Sequence, residues 1–80
     1  MSWQVVEKWQ AHGEIAIWEL RLKRVVDDPF STAWRVEWGQ RGGHHQGVSF
    51  TGDDREARAR EELQRRKERF TYGVWRQVTP

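Results

Sequence analysis

The chain has 80 residues, of which 36% are hydrophobic and 32% are charged, and its 14 basic and 12 acidic residues leave a net charge of only +2. This length predicts one small domain, 1–80, and the absence of cysteine excludes disulfides and thiolate chemistry. No apolar run approaches the roughly 20 residues that span a bilayer, and the first residues do not resemble a signal peptide. We therefore expect a cytoplasmic protein that does not bind a membrane.

Two extended segments are predicted in the first third of the chain. The first covers 3–9 and alternates loosely, which places three apolar side chains on one side: Trp3, Val5 and Trp9. The second covers 14–26, where apolar residues at period two face one way and charged residues face the other. The Asp-Asp-Pro sequence at 27–29 predicts a break, because proline cannot join a strand ladder.

The next segment has the clearest strand pattern. Trp34, Val36 and Trp38 alternate with Arg35 and Glu37, which is typical of a sheet with one face in water. Four glycines and two histidines in 39–47 then predict a flexible loop or a wide hairpin, and 48–50 predicts a short fourth strand.

The periodicity changes to that of a helix after residue 50. Asp53 is a plausible N-cap, with Glu56 three residues later in a pattern like a capping box. The apolar stripe of this helix consists of small and large residues: Ala57, Ala59, Leu63 and Phe70. Arginine and glutamate fill its other positions, which predicts a solvated face, and 74–78 predicts a final extended segment. The expected fold is α+β: an antiparallel sheet of about four strands with one helix packed across it, in two layers.

The segment from Trp34 to Trp75 resembles a WGR (Trp-Gly-Arg) domain, a module of nuclear poly(ADP-ribose) polymerases and of some bacterial proteins. The resemblance is carried by an alternating strand that runs into Trp38-Gly39-Gln40-Arg41-Gly42-Gly43, by an acidic helix start at Asp53-Asp54, and by the close Thr71-Tyr72-Gly73-Val74-Trp75. The strand Ile17–Leu22 resembles the one that precedes the signature in the family. The chain departs from the pattern at Gln40, where the signature has arginine, and at Phe70, where the family has lysine.

Membership of this family implies binding of DNA ends or nicks, with the signature tryptophan against a terminal nucleotide. Carried over to this chain, Trp38 is the stacking group, Gln40 offers a neutral hydrogen bond in place of the arginine, and Arg41 is the nearest cation. Arg35 and Arg76 are further candidates for phosphate contacts, although Arg35 faces away from Trp38 if the strand is regular. The adjacent His44 and His45 complete the candidate site, as loop residues that contact a partner.

Each of these residues also has a structural interpretation. Trp38 continues the face of Trp34 and Val36, so alternation favours a place in the core. Surface arginines are commonly only solvated, and adjacent histidines on an extended chain diverge too far to hold one metal ion. We expect no metal, no cofactor and no enzymatic activity, because no catalytic motif is present.

Two functions remain open from the sequence. One is a non-catalytic module that binds nucleic acid, with DNA as the expected partner. The alternative is a protein-interaction or accessory module, which the near-balanced charge and the surplus of aromatic residues suit. Self-association through an exposed edge strand, such as 3–9, is a variant of this alternative.

Overall fold

The computed structural model describes residues 2–26, 32–70 and 73–80. This part of the chain forms five strands and one helix: β1 (Trp3–His12), β2 (Ile17–Val25), β3 (Trp34–Gln40), β4 (His45–Phe50), α1 (Arg55–Arg69) and β5 (Arg76–Val78). The strands form one antiparallel sheet in the order β4-β3-β2-β1-β5, and α1 packs across β2, β3 and β4. The predicted two-layer α+β fold is confirmed, with five strands instead of about four. The predicted break at 27–29 lies outside the described residues. Thr71 and Tyr72, in the segment that resembles the end of the WGR pattern, also lie outside them.

Alternation along the strands divides the sheet into two chemically different faces. In β2, Leu20 and Leu22 are buried beneath α1, whereas Arg21 and Lys23 lie on the opposite side. Antiparallel pairing continues each row across the sheet, so that Leu22 lies beside Val36 of β3. We call the side beneath α1 the covered face and the opposite side the open face.

The first strand changes face halfway along its length. Trp3 and Val5 are in register with open-face residues of β2, but the register shifts between Val5 and Glu7, and Trp9 is then paired with Leu20 on the covered face. The prediction that Trp3, Val5 and Trp9 share one side is therefore wrong. The reason is a β-bulge, in which one extra residue reverses the alternation.

The glycine-rich segment after Trp38 is more ordered than the sequence indicates. β3 continues to Gln40 and β4 begins at His45, which leaves only residues 41–44 in the turn of a hairpin. Gly39 allows this close pairing, because a Cβ at this position would lie 2.6 Å from the backbone oxygen of His44. The predicted short strand at 48–50 is thus the second half of a longer one.

The start of α1 lies one residue later than predicted. Asp54, and not Asp53, precedes the helix as its N-cap, and its side chain makes no capping hydrogen bond. A turn closed by the Arg55 N–H on the Gly52 carbonyl, at 3.3 Å, sets this position. Gly52 has φ +98°, a conformation that glycine adopts without strain.

The core between α1 and the sheet is small. Its buried side chains come from β2, β3 and α1: Leu20, Leu22, Trp34, Val36, Ala59 and Leu63. Of the tryptophans, Trp34 is buried, Trp3 is 39% exposed, and Trp9, Trp18, Trp38 and Trp75 are half-buried. The small core must therefore be completed by side chains that are only partly covered.

One edge of the sheet differs from the sequence-based expectation. β5 pairs with Lys8, Trp9 and Gln10 of β1, so the predicted free edge over 3–9 is covered at its end. The outer edge at the other side of the sheet belongs to β4.

We predict that Leu22→Ala lowers the free energy of unfolding by about 2–5 kcal/mol, because Leu22 is fully buried and its truncation leaves a cavity. The measurement is urea denaturation followed by tryptophan fluorescence. Val74→Ala is the control, since Val74 is 77% exposed, and we expect a change below about 0.5 kcal/mol. Equal losses in the two variants would contradict this location of the core.

Candidate nucleic-acid interface

The open face of the sheet carries an excess of positive charge. Five cations lie on it against two carboxylates, although the whole chain has a net charge of only +2. The cations are Lys8, Arg21, Lys23, Arg35 and Arg76, and the carboxylates are Glu19 and Glu37. The sequence places these residues there because each alternates with a covered-face residue in its strand, and the register then aligns them in rows.

Glu37 is the centre of one cluster on this face. Its carboxylate lies 2.8 Å from Lys23 Nζ, 3.0 Å from Arg35 Nε and 3.4 Å from Arg21 Nη2. Arg35 also donates from Nη1 to the Ser49 hydroxyl at 3.0 Å. One carboxylate thus fixes three cations that would otherwise repel one another.

Glu19 organises a second cluster nearer the hairpin turns. It accepts a hydrogen bond from the Gln10 amide at 2.9 Å and lies 3.3 Å from Lys8 Nζ. His45 Nε2 is 3.5 Å from the other carboxylate oxygen, and His45 Nδ1 lies 3.1 Å from the carbonyl of Gly43. Glu19 is only 6% exposed, so its charge is stabilised by these neighbours rather than by bulk water.

Both carboxylates are held in their charged form. Burial alone would raise the pKa of Glu37, but the hydrogen bonds from Lys23 and Arg35 and the charges of Lys23 and Arg21 outweigh it, so that the pKa lies below its usual 4.5. Burial likewise opposes ionisation of Glu19, and Gln10, Lys8 and Arg21 together lower its pKa. The clusters therefore stay intact at neutral pH.

Gly47 leaves room for the largest of these side chains. It lies in β4 opposite Glu37, and a Cβ at this position would collide with the guanidinium of Arg35, which extends across it. Arg35 consequently lies flat along the open face, where it bonds Glu37 and Ser49.

Two basic residues near this face have no ionic partner within 2–26, 32–70 and 73–80. Arg76 is exposed on β5 and is in register with Gln10 of β1. Arg41 is exposed in the β3–β4 turn, where its backbone N–H donates to the carbonyl of Ile17 at 2.7 Å. An unpaired, solvated guanidinium can accept a phosphate without first losing a carboxylate.

The residues that the sequence nominated for nucleic-acid binding are divided between different parts of the molecule. His45 and Arg76 lie on the open face, and Arg41 and His44 lie in the adjacent turn. Trp38 is on the covered face, half-buried and packed against the core, and Gln40 shares its side of β3. Arg35 faces away from Trp38, as predicted.

The indole of Trp38 is already covered by a cation. The guanidinium carbon of Arg66 lies 3.6 Å from its ring centroid, and Arg66 Nε donates to Glu62 at 2.9 Å. A base that stacks on this side of Trp38 would have to displace Arg66. The prediction of a core position for Trp38 therefore fits its location better than the prediction of a free stacking surface.

The same contact recurs along the helix, and the sequence analysis missed it. Four helix cations lie over aromatic rings of the sheet: Arg58 over Phe50, Arg60 over Trp34, Arg66 over Trp38 and Lys67 over Trp9, at 5.3, 5.7, 3.6 and 3.4 Å from the ring centroids. These residues are not simply a solvated face. The signal was present in the sequence, because a helix with few apolar residues follows strands rich in tryptophan.

Comparisons with protein-family models, with curated proteins and with solved structures found no match to this chain. Among the residues that the structure describes, no helix is long and apolar enough to cross a membrane. Within the same residues, no group of three or more His, Cys, Asp or Glu side chains is arranged to hold a metal ion. The geometry of the described faces is therefore the main guide to function.

We predict that Glu37 stabilises the fold at neutral pH and ceases to do so in acid. Its folded-state pKa is lowered, so its contribution is fully present above the usual value of 4.5 and is lost as the pH falls through the lower folded-state pKa. The difference in unfolding free energy between wild type and Glu37→Gln should therefore shrink on acidification. Glu61→Gln, at an exposed helix position, is the control. A difference for Glu37→Gln that is constant with pH would contradict the prediction.

We predict an energetic coupling of about 0.5–2 kcal/mol between Arg66 and Trp38, because the guanidinium lies directly over the ring. A double-mutant cycle with Arg66→Gln and Trp38→Leu, followed by denaturant unfolding, measures it. Arg65→Gln replaces Arg66→Gln in the control cycle. Arg65 bonds the same Glu62 carboxylate, at 2.8 Å, and is over no ring of the described residues. Equal coupling in both cycles would show that Glu62, and not the indole, is responsible.

Proposed function

We propose that this protein is a non-catalytic module that binds DNA through phosphate contacts on the open face of its sheet. The observation that carries the proposal is the separation of charge, with five cations against two carboxylates on a face that no element of the described residues covers. The carboxylates serve to hold the cations in place, and an excess of three positive charges remains for a polyanion.

The arrangement of the cations suits a phosphate backbone. Neighbouring strands of a sheet lie about 4.8 Å apart, and side chains on one face of a strand repeat about every 7 Å. The second of these distances is close to the spacing of phosphates along a nucleic-acid strand. Arg76 and Arg41 extend the basic surface at one end of the sheet. These two arginines supply unpaired guanidinium groups, while Arg35 and Lys23 supply positioned ones.

The resemblance to WGR domains supports DNA over other polyanions, because the segment that resembles the signature includes Gln40 at the end of β3 and Arg41 in the turn. In this chain, however, the half-buried Trp38 lies beneath Arg66. The proposed contact is therefore mainly electrostatic, with Arg41 and His44 of the turn close to the DNA and with no base stacked on Trp38.

A protein partner is the alternative, and charge is the property that separates the two. The centres of protein–protein interfaces contain few charged residues, whereas charged residues fill the centre of this face. The observed face is thus better matched to DNA than to a protein surface.

We predict that binding to DNA weakens steeply as salt rises and that Arg76→Gln lowers both the affinity and the salt dependence. Removal of one phosphate contact should reduce the slope of log K against log salt by about 0.7–0.9. Fluorescence anisotropy with labelled single-stranded, duplex and nicked DNA at several salt concentrations measures both quantities.

The matched control for Arg76→Gln is Arg24→Gln. Arg24 is also an exposed strand arginine, but it lies on the side of Trp34 and donates to Gln4 at 3.0 Å. This variant has the same change in net charge and should bind like wild type. No binding to any of the three DNA forms at low salt, or an equal loss in both variants, would refute the proposal.

A further inference from the structure

A pocket lies between the last turns of α1 and the sheet, on the side away from the open face. Four aromatic side chains line it: Trp18, Trp38, Phe70 and Trp75. Phe70 lies edge-on to Trp18, with ring centroids 5.9 Å apart, and is tilted against Trp75 at 4.6 Å. We call this the aromatic pocket. Its volume of about 270 Å³ suits a ligand of one or two rings.

The charge at the aromatic pocket selects the sign of its ligand. Arg66 and Arg69 line it, and Arg69 is exposed with no carboxylate partner among the described residues. Glu19 also borders the pocket, but its side chain lies on the open face, where Lys8 and Gln10 engage the carboxylate. An aromatic enclosure without cations would favour a quaternary ammonium ligand. Arg66 is paired with Glu62, so the guanidinium of Arg69 is the group that repels a cation and attracts an anion.

One residue that lines the aromatic pocket has a polar group without a hydrogen bond to the described residues. The indole nitrogen of Trp75 is buried and has no hydrogen-bond partner among the described residues. Because a buried N–H without an acceptor is costly, such a group commonly marks the place of a missing partner. The nitrogen is not exposed to the pocket, so an oxygen of a bound ligand would reach it only if the Trp75 ring moves.

We infer that the aromatic pocket binds small planar aromatic acids. The ligand ring packs among the indoles and Phe70, and its carboxylate is held by Arg69, whose planar guanidinium matches a carboxylate. The site lies on the other side of the sheet from the proposed DNA surface, so this inference does not depend on the proposed function.

The test uses naphthoate as the probe, with its neutral analogue naphthamide and the cation naphthylmethylammonium as comparisons. Isothermal titration calorimetry should show the tightest binding for the anion and the weakest for the cation. In NMR spectra, the indole N–H signal of Trp75, assigned by its loss in Trp75→Leu, should shift on addition of naphthoate.

Arg69→Gln should weaken naphthoate binding at least fivefold and leave naphthamide binding nearly unchanged. Arg69 is exposed, so this variant keeps the test valid even if Trp75→Leu fails to fold. Arg55→Gln, at the opposite end of α1, is the control and should bind naphthoate like wild type. No binding of naphthoate, equal affinity for naphthoate and naphthamide, or an unchanged affinity in Arg69→Gln would overturn the inference.

Discussion

The contact between helix cations and sheet aromatics completes the packing between the two layers. α1 contributes only Ala59 and Leu63 to the buried apolar core. The remaining cover comes from Arg58, Arg60, Arg66 and Lys67, which lie across aromatic rings of β1, β3 and β4. Long basic side chains can shield an apolar ring with their methylenes while the charge remains hydrated. A very polar helix can thereby pack on the sheet of a domain that has few aliphatic residues.

This use of charge explains why the arginine count is a poor guide to function. Most basic residues of α1 contact rings or carboxylates, as in the bonds from Arg65 and Arg66 to Glu62. All but one of the basic residues Lys8, Arg21, Lys23, Arg24, Arg35 and Arg76 of the strands instead lie on the opposite side of the sheet, with Glu19 and Glu37 as fixed counter-charges; the exception is Arg24. Identical side chains therefore have different roles in the two layers. The role of each basic residue depends on the face of the helix or strand on which it lies.

The sequence predicted the architecture well, because strand alternation and the later helical period are local properties. β2, β3 and α1 were located to within a few residues, and Arg35 and Trp38 were correctly assigned to opposite sides. The bulge at Val5–Glu7 was not predictable in this way, since an inserted residue leaves no signature in hydrophobicity. β4 was predicted too short because glycine and histidine weaken the strand pattern, although pairing with β3 overrides that weakness.

The candidate site was harder to predict because its members are brought together by register. Arg76 joins the basic surface only because β5 pairs with Lys8–Gln10, some 66 to 68 residues earlier in the chain. Trp18 and Trp75 meet beside Phe70 for the same kind of reason. Residue type and spacing identify Trp38 and Arg41 as candidates, but they do not show which residues lie beside them in the folded protein.

The shortness of β5 has a consequence for the dynamics of the molecule. Only three residues hold this strand to β1, and Trp75 directly precedes it. Segments with so few backbone bonds open at a small fraction of the global unfolding energy, as amide hydrogen exchange detects. If β5 separated from β1, the indole of Trp75, which lines the aromatic pocket, would move with it. Ligand binding in that pocket and pairing of β5 with β1 would therefore be thermodynamically linked.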